Sequence, residues 1–484
     1  MSESLKNKTI KGVFWSSIER FSVQGIQFIV QIILARLLLP SDYGLIGMLA
    51  IFLAVSQSLI DSGFSNALIR KQDCTDVDYS TVFYFNIIVG LALYFVLFFS
   101  APLIASFYKT PELNLLTKVI GITLFINSLT VVQRAKLTKN IDFKTQAKAS
   151  FLAVIISGIV AIFMAYKGFG VWSLVAQALI NGAINMLMLW VYAKWLPKRV
   201  FSWQSFKEMF SFGSKLLLSG LIDTIYKNIY TIIIGKKFSK ASLGCYTRAD
   251  QFAQFPSSNL TGILGRVTYP ILSTLQDNDE KLRMVYRKYL RLSAFAIFPL
   301  MMGLAALASP FILLLLTEKW IGIIILLQIL CFSYMWYPIH AINLNLLQVK
   351  GRSDLFLRLE IIKKCVGVGI LFITVPIGIE AMCIGSIFSS IICLAINTHY
   401  TGKLIDVGFF KQMKDLLPSL LYSLSMFVVI WGITKFIDSN VLKLIVGLVF
   451  GVIYYFFIAY ITKSPELKDV VSLVKEYKYK LKRN

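Results

Sequence analysis

LARLLLPSDYGLIGMLAIFLAVSQSLIDSGFSNALI, residues Leu34–Ile69, decides how the rest of the chain is read. One apolar run ends in Pro40-Ser41-Asp42-Tyr43-Gly44 and a second apolar run follows. Proline fixes φ and glycine admits φ values closed to other residues, so these five residues predict a tight turn between two membrane helices. The layout returns about 200 residues later, from Ile234 to Pro270, as IGKKFSKASLGCYTRADQFAQFPSSNLTGILGRVTYP; Gly244 matches Gly44 and Lys236 matches Arg36. A repeated membrane hairpin predicts two related halves with a space between them, a plan common among transporters and uncommon among membrane enzymes.

The surroundings of the hairpin agree with this. The chain has 484 residues, 57% of them hydrophobic, which is more apolar surface than a soluble domain can hide. Runs of spanning length predict an all-α integral membrane protein of about fourteen helices. Their approximate bounds are 12–38, 43–66, 80–107, 113–134, 149–167 and 170–194 in one half. In the other they are 206–235, 242–272, 289–316, 321–347, 356–376 and 379–402, followed by a pair at 415–437 and 441–462. The expected organisation is a first lobe at 1–200, a second at 201–404, an extra helix pair at 405–463 and a basic cytoplasmic tail at 464–484. Further landmarks repeat in order: Pro102 matches Pro310, Lys139–Phe143 matches Lys350–Asp354, and Gly168-Phe169-Gly170 matches Gly378-Ile379-Glu380. Lys6, Lys8 and Lys11 precede the first run, but Glu19 and Arg20 interrupt it and no small-residue cleavage site follows. It reads as a retained helix.

The formal net charge of +24 invites a nucleic-acid reading, which the placement of the cations excludes. They gather in alternate loops, among them Arg134–Lys148, Lys194–Lys207, Lys281–Arg291 and Lys403–Lys414. By the positive-inside rule those loops are cytoplasmic, and an even span count puts both termini inside. Lys236, Lys237 and Lys240 form the one cluster on the opposite side, either a binding feature at the outer mouth or an incidental cationic turn. The six cysteines show no paired spacing and read as small buried hydrophobes. In the tail, Leu467, Val470, Val471, Val474 and Leu481 approach helical spacing, which suits a helix on the anionic inner leaflet or a solvated tail.

With the loop cations set aside, charge remains inside the spans: Glu19, Arg20, Arg36, Asp61, Lys215, Asp223, Lys227, Arg248, Asp250, Arg266, Arg358, Glu360, Lys363 and Lys364. A charge at the bilayer centre costs about 2.5–3.5 kcal/mol on insertion scales, so such residues face protein or a wet cavity. Arg20, Gln24, Gln27 and Gln31 fall on one helical stripe; so do Lys215, Ser219, Asp223, Tyr226 and Tyr230, and so do Arg248, Gln251, Asn259 and Arg266. These are helices that open each half, and Gln57, Asp61 and Ser65 repeat the pattern on the second span. Each residue alone could equally be structural, through ion pairs such as Asp223–Lys227, interhelical hydrogen bonds or snorkelling. As a set they predict a cationic, polar cavity. Arginine presents a planar fork to phosphate oxygens and glutamine both donates to and accepts from sugar hydroxyls.

Catalytic patterns are missing. His340 and His399 sit on different spans with no carboxylate at a useful spacing, Gly168-Phe169-Gly170 lacks the third glycine of a nucleotide loop, and no metal-ligand spacing occurs. The expectation is a transporter with no cofactor and no metal. Its candidate substrate-binding residues are Arg20, Gln24, Gln27, Gln31, Lys215, Lys227, Arg248 and Arg266, with Glu19, Asp61 and Asp223 as candidates for ion coupling.

Leu34-Ala35-Arg36-Leu37-Leu38, Pro40–Gly44 and Asp61-Ser62-Gly63-Phe64-Ser65-Asn66-Ala67-Leu68-Ile69 resemble the first hairpin of bacterial polysaccharide flippases. Leu243–Ala249, Pro256, Tyr269-Pro270-Ile271-Leu272-Ser273 and Gln276 carry the same resemblance, nearest to the O-antigen/colanic-acid (Wzx-like) and teichuronic-acid exporters. It implies the fold shared by the drug and toxin (MATE) exporters and the lipid II flippase in the MOP superfamily: two six-helix lobes facing each other in a V, with extra helices. It implies a cargo of oligosaccharide on undecaprenyl diphosphate, moved from the inner to the outer leaflet of the bacterial cytoplasmic membrane, beside polysaccharide polymerase machinery. It also implies that cavity arginines hold the diphosphate; here these are Arg20, Arg248 and Arg266, with Lys215 and Lys227 beside them. The alternative of the same fold is a MATE-type multidrug antiporter, which needs an acidic, cation-poor cavity. A polymerase or ligase is expected to carry a sizeable outer loop with catalytic groups, and a scaffold would tolerate loss of every cavity charge.

Overall fold

The computed structural model describes residues 22–61 and 63–481, and these are helical, with no strand among them. Around the predicted turn, α1 (Ser22–Leu37) ends at Leu38–Leu39 and α2 (Pro40–Asp61) starts on the proline itself. Pro40 at a helix start loses nothing, since the first N–H groups have no intrahelical partner. Asp42 Oδ2 accepts from the Leu39 N–H at 2.9 Å and closes the corner. The chain forms two compact units, 1–244 and 245–484.

The first unit continues with α3 (Phe64–Arg70), α4 (Asp76–Tyr108), α5 (Glu112–Ile120), α6 (Ile122–Ser128) and α7 (Val131–Lys139). It then holds α8 (Phe143–Tyr166), α9 (Trp172–Ala193), α10 (Trp203–Lys227), α11 (Ile229–Lys237) and the start of α12 (Lys240–Thr274). Here the two turn glycines meet. A Cβ on Gly44 would stand 1.8 Å from the Lys240 carbonyl oxygen, and one on Gly244 would stand 1.8 Å from that of Pro40. The first turns of α2 and α12 therefore touch backbone to backbone, and only glycine permits that approach. Gly63 is a second such place: its φ is +70° and a Cβ would lie 2.8 Å from Gly213 on α10.

At the other end of this unit Phe64, Leu68, Tyr79, Phe83, Val132 and Trp195 form an apolar core from α3, α4 and α7 and the segment after α9. The loop cations close over it through specific acids. Lys71 pairs with Asp78 at 3.1 Å and Glu208 at 3.0 Å, and Lys198 pairs with Asp76 at 2.7 Å. Thr75 and Asp78 make a reciprocal capping box that starts α4.

The second unit contains the rest of α12, then α13 (Asp279–Ala306), α14 (Ala308–Leu316), α15 (Ile323–Tyr334), α16 (Tyr337–Val349) and α17 (Ser353–Thr374). α18 (Ile379–Ile405), α19 (Phe409–Thr434), α20 (Asn440–Ile461) and α21 (Pro465–Leu481) complete it. α13 is its spine. Arg287 makes two 2.7 Å bonds to Asp415 on α19, Arg291 reaches Glu466 at 3.5 Å and Lys288 reaches Asp469 at 2.8 Å, both on α21. The basic run Lys281–Arg291, expected as a loop feature, is thus a helix face. The last two spans, which have no counterpart in the first half, pack closely against α13 and α14. Behind the ion pairs, Gln412 Nε2 donates toward Tyr286 Oη, Asn343 Oδ1 and Thr401 Oγ1 at 3.0–3.1 Å, tying α13, α16, α18 and α19 together.

Among the described residues ten stretches are long and apolar enough to cross a membrane. Of the fourteen expected spans, the remaining four are α1, α10 with α11, α12 and α17. α1 is apolar but is described only from Ser22. The other three are where the intramembrane charges gather, which is why they miss an apolarity criterion. Of the cysteines, Cys331 and Cys383 are buried as expected, Cys74, Cys245 and Cys393 are half-buried, and Cys365 is exposed; none is bonded to another.

Candidate functional site

Several spans of the first unit are interrupted, and polar residues gather at the interruptions. The second span breaks at Gly63, the fourth at Gly121 and at Leu129–Thr130, and the seventh at Asn228. A break frees backbone groups that must be satisfied by side chains, protein or a wet cavity, so breaks inside a membrane mark binding regions. Asp61 Oδ1 accepts from Gln57 Nε2 at 3.2 Å, and Gln57 Oε1 accepts from Asn127 Nδ2 at 3.0 Å. Arg134 on α7 lies within electrostatic reach of Asp61. Ser58 on α2 and Thr224 on α10 share a 3.0 Å hydroxyl contact, and Asp223, the neighbour of Thr224, pairs with Lys227 at 2.7 Å. On α1, Gln31 donates to Gln177 on α9 at 3.3 Å, while Gln24 is half-buried and Gln27 exposed.

Arg20 and Glu19 lie outside the described residues. Lys215 falls on α10, and its side chain is likewise outside the description. Asp61 and Lys227 are solvent-accessible, and Asp223 is half-exposed. The sequence pattern did not point to Asn127, Gln177, Thr224 or the position of Arg134. Ser173, Gln177, Asn181 and Asn185 recur every four residues on a helix whose other positions are largely apolar, which is the signal that would have found that face.

The second unit holds the other arginines. Arg248, only 8% exposed, directs Nη1 to Gln251 Oε1 at 2.5 Å, so two residues of the predicted stripe do meet. Asp250, two positions on, accepts from Tyr334 Oη at 2.7 Å. Arg266 is exposed. Eighteen residues separate Arg248 from Arg266, about 27 Å along a helix, far more than one diphosphate spans. The two arginines of the α12 stripe therefore stand too far apart for one diphosphate to bridge both. Asn259 turns its amide onto its own helix, at Phe255 O, 2.9 Å away. On α17 Glu360 pairs with Lys363, and His340 is held between Ser390 Oγ at 3.0 Å and Asn397 Nδ2 at 3.2 Å. No group of three His, Cys, Asp or Glu side chains is placed to hold a metal among the described residues.

The fold these helices make is one shared with solved transporters of the MOP superfamily. It matches the lipid II flippase MurJ in an inward closed conformation with a TM-score of 0.78 at 16% identity, covering 94% of this chain and 99% of that one. An inward-facing multidrug transporter of the MATE family matches with a TM-score of 0.62 at 18% identity, over 82% of this chain and 100% of that one. Within the class, the model of a family described as "Polysaccharide biosynthesis protein" matches residues 33–325, and the chain belongs to that family. The teichuronic acid biosynthesis protein TuaB of Bacillus subtilis is 28% identical over 354 residues, 73% of each chain. The lipopolysaccharide biosynthesis protein WzxC of Escherichia coli is 26% identical over 366 residues, 74% of each chain.

Proposed function

We propose that this chain carries undecaprenyl-diphosphate-linked oligosaccharide units from the inner to the outer leaflet of the bacterial cytoplasmic membrane by alternating access. In this reading both termini are cytoplasmic, and polysaccharide polymerase machinery receives the product. The repeat halves 1–200 and 201–404 are its working lobes. The observation that carries the reading is the sign and position of the intramembrane charge. α12 holds Arg248 and Arg266 against one acid, Asp250, and on α10 the acid Asp223 is already neutralised by Lys227. A surplus of fixed cation at bilayer depth has use for an anion, and the glutamines on α1 add hydrogen bonding suited to hydroxyls. The two arginines of α12 offer a diphosphate successive positions, with Arg20, Lys215 and Lys227 as further candidates. With the inside negative, outward transfer of two negative charges gains about 4–5 kcal/mol per 100 mV. Glu19, Asp61 and Asp223 are the candidates for a coupled ion.

The test is complementation of a deletion strain with Arg248→Ala, Arg248→Lys and Arg266→Ala, reading surface polysaccharide at matched protein levels. Loss of about tenfold or more is expected for the alanine variants, since a hydrogen bond to a charged group is worth about 1.5–3 kcal/mol. Full export by both alanine variants contradicts the reading. The MATE-type alternative predicts dye efflux that survives in these variants.

A further inference from the structure

A cavity lies in the first unit, away from the intramembrane charges. It has a volume of about 440 Å³ and is built where four connections come together: the α1–α2 corner, the start of α5, the α8–α9 turn and the start of α12. Its volume falls within the range for small-molecule sites, about 300–1,000 Å³. All four connections belong to the cation-poor set, so by the positive-inside rule this end faces away from the cytoplasm.

Three features give the cavity its chemistry. Asp42 and Glu112 bring two carboxylates against one ammonium, Lys240, which is bound to Glu112 Oε2 at 2.9 Å. Asp42 spends one oxygen on the Leu39 N–H. Its other oxygen lies 3.5 Å from where a Cβ of Gly170 would be, so the glycine leaves this side open. Gly170 has φ +54° and Gly168 φ +82°, conformations that present Phe169 and Trp172 at the rim of the cavity. The Gly-Phe-Gly motif that failed as a nucleotide loop is thus accounted for, as is one lysine of the outer trio. Lys236, a second member, is engaged elsewhere, with its ammonium 4.2 Å from the centre of the Phe107 ring.

We propose that this cavity is a binding site for an uncharged saccharide at the outer face. Carboxylates accept from sugar hydroxyls, the ammonium donates to them, and aromatic rings cover the apolar face of a pyranose. The lining excludes the other chemistries. Its net negative charge repels phosphate, its three charged side chains do not suit a lipid tail, and two carboxylates, one of them already paired with Lys240, are too few for a metal. The site stands on its own geometry and does not depend on the lipid-linked cargo.

The test uses the full chain in lipid nanodiscs, free of sugar-based detergent. Saturation-transfer NMR is run with methyl glycosides of glucose, galactose and N-acetylglucosamine, with inorganic phosphate as a competitor. Transfer to at least one glycoside is expected, undisturbed by phosphate. Glu112→Gln and Asp42→Asn, which keep an acceptor for each native hydrogen bond, should weaken binding about tenfold, and so should Phe169→Ala on the exposed rim. Monodisperse elution of each variant verifies the fold. No transfer to any of the three glycosides overturns the proposal, as does transfer that phosphate abolishes or that all three variants leave unchanged.

Discussion

At the residue scale, glycine and arginine carry the most information. Gly44 and Gly244 were singled out by their place in a repeat, and the structure gives the reason: each lies against the other copy's carbonyl at a distance that excludes a Cβ. Gly44→Ala or Gly244→Ala should lower thermal stability in detergent by about 1–3 kcal/mol, the usual cost of overpacking. Gly265→Ala, with nothing within 4 Å of its Cβ, should be neutral or slightly stabilising, because alanine is the better helix former. Equal melting of all three variants would remove the close approach from the account. Arg248 shows where residue type stops being legible. Its stripe put Gln251 on the same face, but only coordinates reveal that the two bond and that Arg248 is buried while Arg266 on the same stripe is exposed. Helical spacing fixes a face and says nothing about depth along the axis.

At the element scale, the informative feature is the set of ion pairs that fasten helices distant in sequence. Asp415 is buried and its carboxylate takes both bonds from Arg287, 128 residues earlier. Removing the arginine strands a buried charge, so Arg287→Ala should cost on the order of 3 kcal/mol. Arg287→Ala with Asp415→Asn should recover part of that loss; the difference in melting temperature between single and double variants checks it. The α21 pairs are weaker, since Lys288–Asp469 is exposed and such pairs contribute about 0–1 kcal/mol. Neutralising Glu466 and Asp469 together should expose the tail helix to limited proteolysis while leaving the main melting transition in place. None of these contacts could be read from the sequence. Positive loops and a positive helix face have the same composition, and the acids that separate the two cases lie more than a hundred residues away. Interrupted spans hid Asn127 for a related reason: the breaks at Gly121 and Leu129–Thr130 reset the helical phase on which a stripe is recognised.

At the scale of the whole molecule, hydropathy and repetition were enough for the class. Fourteen apolar runs, an internal repeat and cations in alternate loops are enough to specify a polytopic helical membrane protein built from two related halves, because the bilayer leaves so few alternatives for a spanning backbone. The charged helices α10, α12 and α17 were legible for the same reason, since charge at that depth is costly and does not persist without a use. The cargo is the part that composition cannot give, and it is the central claim. The direct measurement is made in a strain lacking this chain, with lipid-linked oligosaccharide extracted and its leaflet assigned by a membrane-impermeant label on the sugar. The account predicts that single units accumulate unlabelled on the cytoplasmic side and that the intact chain restores labelling. Units that accumulate on the outer leaflet would indicate a polymerase defect, and normal polysaccharide with no accumulation would contradict the account altogether.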